Sequence, residues 1–198
     1  MRPATLLLVL LPCTPLAGQA PPKARTLTFS DTLGAGFEAA DSARGASLPT
    51  DFDFLLGTWA FRFQERNSAT GAWLPEFGGR WTVVRKQTRN GFIEDHWVPD
   101  YQRGAADEGT WTYRVFNPQR KLWETAEIGT AGGPWATGVA WSDGAGRCAV
   151  EHVAQSLMRL RYFAITDSSF GFRADESRDG GRTWQLDHWV MTVRRVAR

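Results

Sequence analysis

Between residues 51 and 195 the sequence consists of short runs rich in Val, Thr, Phe, Trp and Tyr, separated by Gly, Asn, Asp and Pro. The separators recur about every 8 to 14 residues, as in domains built from antiparallel strands and tight turns. No long segment repeats apolar residues at helical spacing. The pattern therefore predicts an all-β domain.

The strands of this domain can be placed approximately. The segments with the composition of strands are 54–64, 73–86, 92–98, 109–116, 123–128, 135–141, 148–154, 158–165, 170–176 and 183–195. Turn residues such as Asn90-Gly91 lie between neighbouring segments, so we expect successive segments to pair as hairpins. A sheet of about ten twisted strands most simply closes on itself, because closure removes both exposed edges. We predict an antiparallel up-and-down barrel over residues 51–198.

The first residues have the features of a secretory signal peptide. Arg2 supplies a positive charge, residues 5–11 are apolar, and small residues precede Ala20. The apolar run is shorter than the roughly 20 residues that cross a bilayer, and no later segment reaches that length, so no transmembrane segment is expected. We expect residues 1–20 to direct export to the periplasm or the medium. Residues 21–50 are then a linker that could include a short helix.

Charge and cysteine content exclude some classes of partner and site. The formal net charge is +2 and the basic residues are scattered, so no nucleic-acid partner is expected. Without the signal peptide, Cys148 is the only cysteine, and the fold must hold without an internal disulfide. A small buried side chain is the commoner role for a cysteine in such an alternating segment, ahead of a nucleophile. The sequence does not indicate an oligomeric state.

Two stretches at the ends of the domain resemble one family. Asp51–Trp59 and Ser177–Trp184, the latter followed by Trp189–Met191, are similar to the opening and the close of a group of uncharacterised bacterial secreted proteins. Asn117-Pro118 before Trp123 is similar to a turn of the same group. The resemblance implies a calycin-like, that is lipocalin-like, β-barrel that binds small, largely apolar molecules. It implies no agreed activity.

The resemblance also implies structural roles for particular residues. Trp59, two residues after Gly57, would pack across the closed end of the barrel under an arginine of the last strand, Arg194 or Arg195. The closing segment additionally fits the Asp-box motif of sialidases, which recurs in those proteins but occurs once here. A single copy favours a structural hairpin in which Asp179 ties the turn amides and Trp184 packs beneath.

Three histidines each follow an acidic residue: His96, His152 and His188. Three imidazoles could ligate zinc, and one could ligate haem. If the apolar face of the last strand, Trp189 and Met191, lines the barrel, His188 points away from it and into solvent. We therefore expect no zinc or haem cofactor, and keep a metal- or haem-dependent enzyme using these histidines as an alternative.

Charged residues on apolar segments raise a second question. Glu127, Arg159 and Arg161 could point inward and hold a polar head group, but alternation of apolar and charged residues is also what a half-exposed strand shows. No nucleophile elbow, phosphate-binding loop or Cys-x-x-Cys pair is present, so the sequence favours a binding protein over an enzyme and assigns no catalytic residue.

The leading interpretation is an exported protein that holds a small, mostly apolar ligand in an aromatic-lined barrel. The residues expected at the lining or mouth are Trp59, Trp97, Trp111, Tyr113 and Arg161. Those expected to be structural are Gly57, Trp59, Asp179, Trp184 and Arg195. A packed barrel that acts through its surface in the cell envelope is a further alternative. All lining assignments depend on strand register, since a shift of one residue exchanges the two faces.

Overall fold

The computed structural model describes residues 47–87, 92–102, 108–129, 136–144, 146–153 and 155–196. In these residues the chain forms a closed barrel of ten antiparallel strands. The strands are β1 (Gly57–Glu65), β2 (Phe77–Arg85), β3 (Ile93–Pro99), β4 (Thr110–Asn117), β5 (Leu122–Gly129), β6 (Ala136–Ser142), β7 (Arg147–Val153), β8 (Ser156–Phe163), β9 (Ser169–Ser177) and β10 (Gln185–Arg195). Each strand pairs with its neighbours in the sequence, and β1 pairs with β10 to close the barrel. The predicted all-β, up-and-down barrel is confirmed.

Helical structure in the described residues is limited to two 3₁₀ turns, Asp53–Leu55 and Asp100–Gln102. No described helix has the length and apolar character needed to cross a membrane. The predicted signal peptide, residues 1–20, lies outside the described residues, and so does the predicted linker up to residue 46.

Strands β1 and β2 begin well after their predicted starts. The segment predicted from residue 54 starts as the 3₁₀ turn, whose Asp53 forms an ion pair with Arg85 of β2. The segment predicted from residue 73 contains Pro75, which has no N–H to donate to a strand ladder. Trp73 accordingly makes only an isolated bridge with Arg66, and β2 begins at Phe77.

Residues 47–56, here called the plug, close one end of the barrel. The Ser47 amide donates to the Lys121 carbonyl at 3.0 Å, and the Trp123 indole donates to the Leu48 carbonyl at 3.1 Å. Phe52 is fully buried and its ring meets those of Trp123 and Tyr162 edge-on at 5.5 and 6.0 Å. Residues 47–50, which the sequence assigned to the linker, therefore pack against the barrel.

The seam between β1 and β10 is reinforced at the plugged end. The Arg195 guanidinium lies over the Trp59 ring, 4.0 Å from its centroid, and donates to the carbonyls of Leu56 at 2.8 Å and Asp167 at 2.6 Å. Gly57 has φ of 125°, and a Cβ there would overlap the guanidinium. Both the backbone angle and the lack of a side chain thus require glycine at this position.

The β9–β10 hairpin covers a smaller apolar cluster on the outside of the barrel. The cluster contains Leu122, Val139, Trp141, Val150 and Leu157, with Cys148 and Trp184 packed against it. In the hairpin, an Asp179 oxygen accepts the backbone N–H groups of Arg182 at 3.0 Å and Thr183 at 2.9 Å, and the Thr183 hydroxyl donates to the other oxygen at 2.7 Å. The bonds from Thr183 in particular hold the Asp179 pKa well below its usual range. The geometry is that of a structural turn.

Candidate functional site

A cavity of about 290 Å³ lies inside the barrel at the end opposite the plug. Its mouth is formed where β1 ends, at Glu65, and where β2 begins, at Phe77. Tyr101, which follows β3, packs on Phe77 with ring centroids 5.1 Å apart and is 68% exposed. Partial burial and the charge of nearby Glu65 raise the Tyr101 pKa. The mouth therefore combines an exposed phenol with a carboxylate.

The outer part of the cavity wall is aromatic, and Trp97 lies at its centre. The Trp97 ring stacks on Phe61 at 4.7 Å and meets Phe63 and Phe77 edge-on at 5.7 and 5.9 Å. These residues come from β1, β2 and β3, whose inward positions alternate with outward ones. The wall suits a flat apolar molecule, because aromatic rings offer large faces at small entropic cost.

Deeper in the barrel the cavity contains four charged side chains, Asp95, Arg114, Glu127 and Glu151, here called the polar cluster. Asp95 on β3 and Arg114 on β4 form a buried ion pair. The Trp81 indole also donates to Asp95, at 2.9 Å. Removing either charged partner would leave an unpaired buried charge, so the two act as a unit.

The two glutamates of the polar cluster reach the cavity from β5 and β7, on either side of β6. The Thr125 hydroxyl donates to Glu151 at 3.1 Å. Gly138 of β6 lies between these two residues in the sheet, and a Cβ there would overlap the Glu151 side chain. The glycine therefore creates the space that lets Glu151 extend towards β5.

The polar cluster has more carboxyl groups than its single guanidinium can neutralise. Burial and the neighbouring Glu151 carboxylate raise the Glu127 pKa to about 8, although Arg114 acts in the opposite direction. Burial also raises the Glu151 pKa, against the effects of Arg114 and of the Thr125 hydrogen bond. At neutral pH the two glutamates therefore share at least one proton, and can both donate and accept hydrogen bonds.

Of the five residues expected at the lining or mouth, the structure places one, Trp97, in the cavity wall. Trp59 is buried at the plugged end, under Arg195. Trp111 and Tyr113 lie on the outside of the barrel, stacked on His96 at 4.0 Å and on Phe92 at 5.8 Å.

Arg161 also lies outside the cavity. It forms an ion pair with Asp143 at 2.9 Å on the outer surface, and Arg159 likewise pairs with Asp175 at 2.7 Å. Leu160, between the two arginines, lines the cavity, and so does Tyr162 on the same face of β8.

The reason for the misplaced aromatic residues lies in β4. The sequence interpretation assumes that the more apolar face of a strand turns inward, but in β4 Thr112 and Arg114 are buried inside while Trp111 and Tyr113 occupy the outer face. A signal for this exists in the sequence. With the turn after Asn117 fixing the hairpin, the polar residues of β4 and β5 face each other in pairs, Thr112 with Glu127 and Arg114 with Thr125.

The three histidines are not brought together. His96, His152 and His188 lie on β3, β7 and β10, no two of which are adjacent in the barrel. None of the three lines the cavity. Within the described ranges, no group of three or more His, Cys, Asp or Glu side chains is arranged to hold a metal ion.

The environment of His188 differs from the expected one. It is 5% exposed, not solvated, and lies within the register shift between Gln185 and Trp189. Its Nδ1 lies 3.0 Å from the Gln185 side-chain oxygen and 3.6 Å from Glu176. Burial lowers the His188 pKa.

Cys148 is half-buried on the outside of the barrel, with its Sγ 3.5 Å from Asp143. Burial and the Asp143 carboxylate raise its pKa to about 11. The thiol is therefore protonated at neutral pH, which does not suit a nucleophile.

Comparisons with solved structures agree with the fold. The chain is similar to the S-type phycobiliprotein lyase CpeS from Guillardia theta, with a TM-score of 0.55 and 12% identity over 82% of this chain and 98% of that one. It is also similar to Rv2717c from M. tuberculosis (TM-score 0.46, 16% identity, 83% and 99% covered) and to EF1p2_mFAP2b bound to DFHBI (TM-score 0.30, 13% identity, 76% and 100% covered). The likeness to the lyase concerns the fold alone, and we draw nothing from the other two. No protein-family model and no curated protein sequence matches the chain.

Proposed function

We propose that the protein is an exported binding protein that holds one small, mostly apolar molecule in its barrel. The observation that carries this proposal is the cavity of about 290 Å³, with aromatic walls near its mouth and a few polar groups deeper inside. Small-molecule sites combine these two features, and the volume stands near the lower end of their usual range of about 300 to 1,000 Å³. The ligand we expect has the size of one or two fused rings.

The alternatives have less support in the geometry. A packed barrel acting through its surface would not need an open cavity lined by Trp81, Trp97 and Phe172. A zinc enzyme using the three histidines would need them to converge, and they lie on three strands that are not neighbours. A haem enzyme would need one of them to face the cavity, and none of the three lines it. We propose no reaction for the cavity.

Export is the second part of the proposal. It rests on the sequence of residues 1–20, with a positive charge at Arg2, an apolar run and small residues before Ala20. Mass spectrometry of the protein from separated cell fractions tests it. Recovery outside the cytoplasm with a new N-terminus near residue 20 supports export, and a cytoplasmic full-length chain contradicts it.

Binding can be tested with N-phenyl-1-naphthylamine, a neutral aromatic amine whose fluorescence increases in apolar surroundings. The wild-type protein should give a saturable increase with one site per chain. Val153→Trp places a large ring at the mouth of the cavity, where Val153 is part of the lining, and should abolish the signal. Val115→Trp adds the same ring on the outer face of β4, where Val115 is exposed, and is the matched control that should bind like wild type.

The two variants separate cavity binding from adsorption to the surface. Saturable binding that Val153→Trp removes and Val115→Trp retains supports the proposal. Equal signals from both variants, or no saturable signal from the wild type, contradict it. Circular dichroism of each variant establishes that the barrel is intact.

A further inference from the structure

The described residues that line the cavity carry far more acid than base. Arg114 is the one basic side chain among them, and Asp95 is already paired with it. Glu127 and Glu151 deeper in the cavity, and Glu65 at the mouth, have no basic partner of their own within the lining. Carboxylates removed from bulk water need a proton, a hydrogen-bond donor or a cation.

An anionic ligand does not fit this arrangement. The arginines that could have gripped a carboxylate or phosphate, Arg159 and Arg161, lie outside the barrel in ion pairs with Asp175 and Asp143. The guanidinium inside, on Arg114, also donates towards the Tyr162 hydroxyl at 3.4 Å. An added anion would meet the carboxylates of the polar cluster instead of a free cation.

We propose that the ligand is a cation: a flat, mostly apolar molecule with a protonated amine or amidine group that pairs with Glu127 and Glu151. This inference rests on the proposed binding function and names its ligand class. The aromatic wall suits the rest of such a molecule, because the rings of Trp81 and Trp97, which both line the cavity, offer apolar contact. The apolar part of the ligand would lie against the wall and its charge would reach the polar cluster.

Binding of such a cation releases a proton. Without ligand, the two glutamates share at least one proton, because burial raises the pKa of both and the Glu151 carboxylate raises that of Glu127 further. The charged group of the ligand takes the place of that proton: the Glu127 carboxylic acid loses H⁺ to solvent and its carboxylate pairs with the ammonium group. The groups that face the pair and set this balance are Asp95 on β3, Arg114 on β4 and Tyr162 on β8.

Three probes of nearly equal shape test the inference. They are naphthalen-1-ylmethylamine, protonated at about pH 7.5, the neutral naphthalen-1-ylmethanol and the anionic naphthalene-1-carboxylate. Calorimetric titration of the wild-type protein should show the amine binding at least about tenfold more tightly than the alcohol, since an ionised hydrogen bond is stronger than a neutral one. The carboxylate should bind most weakly. Titration of the amine in two buffers of different ionisation enthalpy should reveal proton release.

Charge-removing variants locate the effect. Glu127→Gln and Glu151→Gln should each weaken amine binding by about tenfold and leave the affinity for the alcohol nearly unchanged. Glu124→Gln is the matched control, because Glu124 is on the same strand as Glu127 but pairs with Asn117 and Arg120 outside the cavity. It should bind all three probes like wild type. The probe comparison on the wild-type protein does not depend on any variant folding.

The outcomes distinguish this inference from the proposed function. If the alcohol binds in the cavity and the amine binds no more tightly, the ligand class is wrong and the binding function stands. If the carboxylate binds best, the inference is overturned in favour of an anionic ligand. If the three probes and N-phenyl-1-naphthylamine all fail to bind, the proposed function fails and this inference fails with it.

Discussion

At the scale of single residues, the buried ion pair between Asp95 and Arg114 is the contact most sensitive to change. Replacing Arg114 by Met keeps most of the side-chain volume but leaves the Asp95 carboxylate without its partner at 1% exposure. We expect a loss of about 3–5 kcal/mol in the free energy of unfolding. The double variant with Asp95→Asn should lose less than Arg114→Met alone, because the uncompensated charge is gone. Urea unfolding followed by tryptophan fluorescence measures both, and equal losses would contradict the pairing.

The raised pKa of Glu127 predicts a pH dependence of stability. A glutamate in the unfolded chain has a pKa of about 4.3, whereas the folded chain holds the Glu127 proton up to a pKa of about 8. The folded state therefore binds more protons between these values, and the stabilising contribution of this group, complete below the lower pKa, is lost as the pH rises towards the higher one. Glu127→Gln imitates the protonated side chain and has no such loss.

We therefore expect the melting temperature of Glu127→Gln, relative to wild type, to increase from about pH 5 to about pH 8.5 by roughly 10 °C. Glu124→Gln, changed on the outer face of the same strand, should show no such trend. Thermal unfolding followed by circular dichroism across this pH range provides the measurement. If the difference in melting temperature between Glu127→Gln and wild type stayed constant across this pH range, the Glu127 carboxyl would have an ordinary pKa.

At the scale of the elements, the plug is held by a few fully buried side chains. Phe52 fills the space against Trp123 and Tyr162, so Phe52→Ala should destabilise the protein by about 3–5 kcal/mol. Leu48 belongs to the same segment but is 59% exposed, and Leu48→Ala should stay within about 0.5 kcal/mol of wild type. Chemical denaturation of the two variants compares them. Equal small effects would show that the plug contributes little to the fold.

The closing seam between β1 and β10 gives a second prediction at this scale. Gly57→Ala places a Cβ against the Arg195 guanidinium at a backbone φ of 125°, and should cost at least about 1–2 kcal/mol. In an Arg195→Ala background the overlap is absent and only the backbone strain remains. The Gly57→Ala substitution should therefore cost less there than in wild type. Identical costs in both backgrounds, measured by urea unfolding, would contradict this.

At the scale of the whole molecule, the sequence predicts the barrel well because the signals that specify its strands and turns are local. Turn residues and β-branched runs locate the strands, and closure follows from the number of strands and the short connections between them. For β8 the amphipathic alternation left the choice of face open, and Arg161, which we expected at the lining or mouth, lies outside while Leu160 lies inside.

The candidate site is harder to predict because it departs from that rule. In β4 the polar face is the inner one, and Arg114 is tolerated there through Asp95 of the adjacent strand β3, a partner about twenty positions away in the sequence. Thr125 and Glu151 lie on either side of Gly138, a relation that exists only once three strands are paired. Local patterns cannot show contacts of this kind. Of the contacts in the site, the facing polar pairs of β4 and β5 are the ones that the register of the hairpin could have predicted.

The plug has a consequence for the kinetics of exchange. Buried Phe52, Leu55 and Trp59 occupy one end of the barrel, and the cavity lies towards the other end, beside Glu65 and Tyr101. An incoming molecule cannot enter through the plugged end, so exchange must wait until the bound molecule dissociates. We expect the displacement of bound N-phenyl-1-naphthylamine to be first order, with a rate that stays constant as the competitor concentration rises in stopped-flow experiments. A rate that increased with competitor would require a second route into the barrel.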